Sequence, residues 1–258
     1  MSDDLFDMYL SEAKNTQFSG WDFGYIINSR RMVESPLKWN YFNIVLPYLV
    51  KSETLLDMGT GGGEVLSSFP NLPKFTYATE SYIPNVAKAR ARLEPLGVKV
   101  IEMDASKYPN NEYLPWEDDS FDLVINRHEA FHPAELFRVL KRGGFFISQQ
   151  VGLGLFQLKR ALTDQPEEKS DWGLPKVIGH LKSVGFRIIQ SREDYQGVRY
   201  FDIGAIAYHL KAVPWIIEGF SVEAYQEKLR RIHNQIQKFG FFEDGYSIFL
   251  IIAQKLGT

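Results

Sequence analysis

The sequence predicts an α/β protein, a mostly parallel sheet of seven strands with helices on both faces. Three observations carry that expectation. Short apolar runs recur along the chain: ETLLDM, FTYATE, VKVIEMD, FDLVIN, GGFFISQQV, FRIIQSRE and YSIFLIIAQK. Helix-like stretches separate the first five, as in βαβ units whose strands are buried on both faces. The chain of 258 residues, 45% hydrophobic and 24% charged, is long enough to bury one full core.

Taken in order, residues 1–50 read as an N-terminal helical cover, with spaced apolar side chains such as Phe6, Leu10, Trp39 and Leu46. Pro36 suits the first turn of a helix running through Leu49. Residues 51–151 hold the first five strands and form the half that collects a ligand. The intervening helices fall at about residues 83–96 and 133–140, with another at 174–184. Thr163–Gly173, with Pro166, two glutamates and Asp171, reads as a polar loop or lid. Residues 195–245 read as an inserted helical cap before the last strand, two helices around a Pro214–Trp215 break. An insertion of that size suits a role at a site, here a roof over a substrate. The whole chain is expected to be one domain.

Composition narrows the chemistry. The absence of cysteine removes disulfides, thiolate metal sites and cysteine nucleophiles. A net charge of −3 gives no general pull toward phosphate backbones. The acidic start MSDDLFDMYL lacks the features of a signal peptide, and the apolar runs are too short to cross a bilayer. The expected setting is the cytoplasm.

The stretch LLDMGTGGGEVLSSF places Gly59, Gly61 and Gly63 after a strand and before a helix. Glycine lets the backbone turn sharply and lets a ligand approach without a Cβ in the way, while the helix start offers free N–H groups. A dinucleotide fingerprint would need a third glycine where Glu64 stands. The acid before the turn, Asp57, is awkward beside a pyrophosphate and suits a ligand carrying an ammonium and a sulfonium. That sign favours S-adenosylmethionine over NAD. Glu80 ends the next strand, where a carboxylate can accept both ribose hydroxyls, and Asp104 ends the third, followed by small Ala105. Asn126 ends the fourth. Polar groups at successive carboxyl ends are where an open α/β sheet gathers its ligand.

With these residues in place, the chain resembles the class I S-adenosylmethionine-dependent methyltransferases, in particular the ubiquinone/menaquinone C-methyltransferase-like, type 11 group. The resemblance covers about residues 53–151 and implies a Rossmann-like fold. DMGTGGG is similar to the family's first motif, Glu80 to its ribose-binding acid, and MDA to its adenine-contacting motif. PWEDDSFDLVINRHEAFHPAELFRVLKRGGFFISQQV is similar to the run from the fourth motif into strand five. The resemblance implies that Asp57, Gly59, Gly61, Gly63, Glu80, Asp104, Ala105 and Asn126 hold the cofactor.

His128-Glu129-Ala130-Phe131-His132 also satisfies the HExxH pattern of zinc proteases. That chemistry needs both histidines on one helical face. Pro133 follows at once, and a residue before proline is turned away from the α region. HEAFH is therefore expected to be a strand-to-helix crossover, and no metal is expected. A loop there lies beside the donor methyl in this fold, so His128, Glu129 and His132 are candidates for positioning or deprotonating an acceptor. A small-molecule acceptor is the leading expectation. An rRNA or tRNA methyltransferase, with Lys228, Arg230 and Arg231 on an exposed helix face, and a non-catalytic binder of the same ligand stay open.

Overall fold

The computed structural model describes residues 2–18, 23–104, 106–107, 111–163 and 171–256. The chain opens with α1 (Ser2–Asn15), α2 (Gly24–Ile27), strand β1 (Met32–Glu34) and α3 (Tyr41–Leu49). It continues through β2 (Thr54–Met58), α4 (Glu64–Ser67), β3 (Phe75–Glu80), α5 (Ile83–Leu93), β4 (Lys99–Glu102), β5 (Phe121–Arg127) and α6 (Pro133–Val139). The rest is β6 (Leu140–Gly154), α7 (Phe156–Leu162), α8 (Leu174–Ser183), β7 (Phe186–Tyr200), α9 (Ile203–Ala212), α10 (Gln226–Phe239) and β8 (Phe242–Lys255).

The sheet has eight strands, in the order β1-β7-β8-β6-β5-β2-β3-β4, not seven. The additional strand is β1, which pairs antiparallel with the far end of β7, Met32 opposite Tyr200. Three residues with only Met32 buried carry no readable alternation, so pairing with a distant segment makes the strand. β2 runs parallel to β3 and β5, β3 to β4, and β5 to β6, the arrangement that βαβ connections produce.

The helix expected from Pro36 instead begins at Tyr41. Asn40, in an extended conformation, caps it by accepting a hydrogen bond from Asn43 N–H at 2.9 Å, so Pro36 lies outside it. Pro84 opens α5 and Pro133 opens α6, as a residue without an N–H is best placed to do. Helix α5 is followed by a 3-10 turn at Glu94–Leu96, which Gly97 closes with φ 81°. The inserted segment is strand as well as helix: β7 continues to Tyr200, and α9 starts behind Asp202, whose carboxylate caps Ala205 N–H at 2.9 Å. Most of the proposed lid, residues 164–170, lies outside the described residues.

Two compact units can be distinguished. One comprises residues 1–37, 153–170 and 195–247, and the other residues 38–152, 171–194 and 248–258. The first has a core that includes Phe6, Leu10, Tyr200, Ile206, Tyr208 and Ile232. Within it Arg31 grips Asp202 through two 2.8 Å bonds and reaches Glu12 at 2.8 Å, a charge-assisted network at the root of α9. Lys228 donates to the Leu162 carbonyl and Arg230 lies over the Phe6 ring, so two of the three cations expected on an open face of α10 take part in packing. The second unit has its own core, with Leu56, Met58, Val124, Leu136, Phe146 and Phe249. At the amino ends of its strands, Asp122 accepts from Glu53 and Thr54 N–H and pairs with Lys141 at 2.9 Å. The carboxyl ends of the same strands carry the candidate site. Among the described residues no helix is long and apolar enough to cross a membrane.

Candidate functional site

The turn after β2 has the left-handed backbone that its glycines permit. Gly59, Gly61 and Gly63 have φ of 65°, 63° and 81°, and Gly63 is the N-cap of α4. Two of them are also glycines for want of room. A Cβ on Gly63 would meet the Leu93 side chain at 2.7 Å, and one on Gly59 would meet Glu129 at 2.5 Å. Gly61 differs, because nothing lies within 4 Å of the position its Cβ would take.

Glu80, buried at the end of β3, ties this turn to the next. One carboxylate oxygen accepts from Gly61 N–H at 2.8 Å, and the other accepts from Ser81 and Tyr82 N–H at 2.9 and 2.8 Å. A carboxylate has about four acceptor positions, so with three taken one remains for a ribose hydroxyl. Asp57 is buried at the end of β2. Burial pushes its pKa up to about 7, against the pull of Thr60 and Arg127 and with repulsion from Glu80 adding to the rise.

Asp104 is exposed and folds back on its own loop. It accepts from Ser106 N–H at 3.0 Å, the Ser106 hydroxyl at 2.5 Å and Lys107 N–H at 3.2 Å, and the Ser106 bond leads in lowering its pKa. Ala105 lies outside the described residues. Asn126 is fully buried: its Oδ1 accepts from Gln150 Nε2 at 2.6 Å and Ser148 Oγ at 3.3 Å, while its Nδ2 has no partner. That side chain braces β5 against β6, and Tyr41 reaches the Asn126 carbonyl at 3.4 Å.

The HEAFH segment is not helical. His128 has φ 65° and His132 is an extended N-cap residue, so the two rings do not share a helical face. Among the described residues no group of three His, Asp or Glu side chains is placed to hold a metal ion. His128 keeps solvent-accessible surface, and desolvation, with the Arg127 cation adding to it, lowers its pKa. The ring is therefore neutral near pH 7. Glu129 points the other way in charge: burial raises its pKa, Asn111 opposes the rise, and Glu80 adds to it.

The structure thus brings Asp57, Gly59, Gly61, Gly63, Glu80 and Glu129 together, with Asn126 beneath them in the sheet. Asp104, expected at a strand end, lies two residues beyond β4, occupied with its own turn. Tyr41, Asn111 and Gln150 were not found from the sequence. Asn111 donates to Glu129 at 3.1 Å and to the Ala130 carbonyl at 2.8 Å, and Gln150 donates to the Glu129 carbonyl at 3.0 Å. No motif marks these residues, because they act through pairings between segments remote in sequence.

Residues 56–148 match the family described as methyltransferase domain. No curated protein sequence matches the chain. Solved structures share the fold at low identity. A Bacillus halodurans protein provisionally assigned as a methyltransferase is 21% identical, with 82% of this chain and 99% of that chain covered and a TM-score of 0.56. The Bacillus subtilis protein YcgJ is 16% identical over 84% of this chain and 99% of its own, also at 0.56. The [4+2]-cyclase SpnF matches over 99% of this chain and 94% of its own at 17% identity and a TM-score of 0.50. A cyclase among the neighbours shows that the fold alone does not name a reaction. The matched domain, which spans the glycine turn and the strand-end acids, does name one: residues 56–148 are a methyltransferase domain.

Proposed function

We propose that this enzyme transfers a methyl group from S-adenosylmethionine, bound at the glycine turn, to a small-molecule acceptor. The observation that carries the reading is the convergence of Asp57, Glu80 and Glu129 on a turn that is open at Gly61. The arrangement suits a ligand with two hydroxyls, an ammonium and a sulfonium, and it opposes a pyrophosphate. When bound, the cofactor supplies the activated methyl group and its positive charge. Glu80 would accept from a ribose hydroxyl while its bonds to Gly61, Ser81 and Tyr82 keep the turn in shape. Asp57 and the N–H groups of the turn would orient the methionine portion. Asp104, Ala105 and Asn126 complete the proposed set, Asn126 through the sheet rather than by side-chain contact.

Alignment and exclusion of water are the main contributions a protein makes to such a displacement, together with proton removal from an O–H or N–H acceptor. His128, neutral and accessible, can take a hydrogen bond or proton from an acceptor group, and His132 and Glu129 share its loop. A small acceptor is favoured by the net charge of −3 and by the packing roles of Lys228 and Arg230. Incubating the enzyme with cell-extract fractions and methyl-labelled cofactor, followed by mass spectrometry, identifies the acceptor. Label in a small molecule is the expected result. Label in RNA would replace the acceptor class, and no release of S-adenosylhomocysteine from any fraction would leave a binder without turnover.

A further inference from the structure

Glu129 is more than a loop residue near the site. A Cβ on Gly59 would fall 2.5 Å from both Cβ and Cγ of Glu129 and 2.6 Å from its Oε2. Position 59 is thus kept bare by a carboxyl laid against it. The backbone that delivers this side chain is specified: His128 takes a left-handed conformation, and Gln150 fixes the Glu129 carbonyl. Asn111 donates to Oε1 at 3.1 Å. Three carboxyls from three different segments therefore border one turn, Asp57 before it, Glu80 on Gly61 and Glu129 on Gly59. The charged and titratable groups that face them are few. Asp57 feels Glu80, Arg127 and, across from α3, Tyr41, and Glu129 feels Glu80.

Methyl transfer breaks the S–CH3 bond, leaves its electron pair on sulfur and forms the bond from the acceptor to CH3. The donor is a sulfonium and the product a neutral thioether; the rest of the molecule is unchanged. A carboxylate near this turn attracts the ammonium of both ligands alike, and it distinguishes them only through the sulfonium charge.

We propose that Glu129 is the specificity residue that makes the site prefer the sulfonium donor over the thioether product, as the third carboxylate beside Asp57 and Glu80. The inference rests on the reading of the glycine turn as the donor site. Its consequence is that product leaves in favour of fresh donor without any movement of the fold.

The test is calorimetric binding of S-adenosylmethionine and S-adenosylhomocysteine to the wild type and to Glu129→Gln. Glutamine keeps the shape and an oxygen for Asn111 but not the charge. The donor should weaken roughly five- to thirtyfold while the product changes by less than about twofold. Equal weakening of both ligands, or no change in either, would overturn the proposal. If Glu129→Gln fails to fold, Glu129→Ala is measured in its place and judged by the same difference between donor and product. Failure of the wild type to bind either ligand would instead remove the donor-site reading itself.

Discussion

Glu80 shows what a single residue can hide from a sequence. Its place at a strand end, and hence its candidacy for a ribose, is legible in FTYATE. Its three bonds to Gly61, Ser81 and Tyr82 N–H are not, because they depend on how two turns approach each other. The residue should accordingly fail twice when removed. Glu80→Ala should weaken S-adenosylhomocysteine about ten- to a hundredfold, by loss of hydrogen bonds to a charged acceptor. It should also cost about 1–3 kcal/mol of stability, since three partly buried N–H groups lose a charged partner. Calorimetry and chemical denaturation check the two parts. Gly61→Val separates them differently. With φ 63° and no described atom within 4 Å of its Cβ, the position has room for a first side-chain carbon, so the protein should fold at a cost of about 1–3 kcal/mol from the left-handed backbone. Binding should be lost. Wild-type affinity in both variants would refute the assignment of the turn.

Among the elements, the seven strands recognised from their apolar runs are all present, because runs buried on both faces need no context to be read. Strand lengths are another matter. β6, β7 and β8 extend over 15, 15 and 14 residues, and their outer parts are polar enough to read as loop. Helix α7 went unseen for a similar reason, being a seven-residue segment directly after a strand. The 195–245 segment is expected to roof a substrate, yet of its aromatics Tyr200 and Tyr208 are core residues at 0% and 2% exposure, whereas Trp215 is 67% exposed. Tyr208→Ala should therefore cost on the order of 3–5 kcal/mol. Trp215→Ala should leave stability within about 0.5 kcal/mol. Only Trp215 is a clean probe of the cap proposal: a raised acceptor KM with unchanged cofactor affinity would support it, and unaltered kinetics would remove it. Helix α9 makes a further expectation about acid. His209 accepts or donates at Nδ1 with the Tyr200 hydroxyl at 2.7 Å, and burial lowers its pKa from 6.5 to about 4. The unfolded chain binds the proton more readily, so stability is full above about pH 6.5 and falls as pH drops toward 4, by on the order of 3 kcal/mol. Urea titrations of the wild type and His209→Gln at pH 7 and 4.5 read this directly. A pH dependence that persists unchanged in the variant would assign the acid loss elsewhere.

At the scale of the whole molecule, the chain does not divide in sequence as it divides in space. Each compact unit is assembled from three separate stretches, and β6, β7 and β8 supply residues to both. The proposed cofactor residues nevertheless fall in one of them, between Asp57 and Asn126. That localisation makes a prediction for hydrogen exchange. A ligand that binds only the folded state stabilises it by about 2.7 kcal/mol at a hundred times its Kd. Amides that open only by global unfolding should all slow by that amount, wherever they lie. Amides that open locally should slow only where the ligand touches them or restrains their segment. With S-adenosylhomocysteine, extra slowing should therefore appear at residues 59–63, where Gly61 N–H bonds to Glu80, at Ser81 and Tyr82, and at residues 128–130. The locally opening amides of α9 and α10 should be unaffected. No added protection in the glycine turn, at concentrations where calorimetry shows binding, would place the cofactor elsewhere on the sheet. Added protection around Trp215 with cofactor alone would mean that the inserted segment responds to the donor and not only to an acceptor.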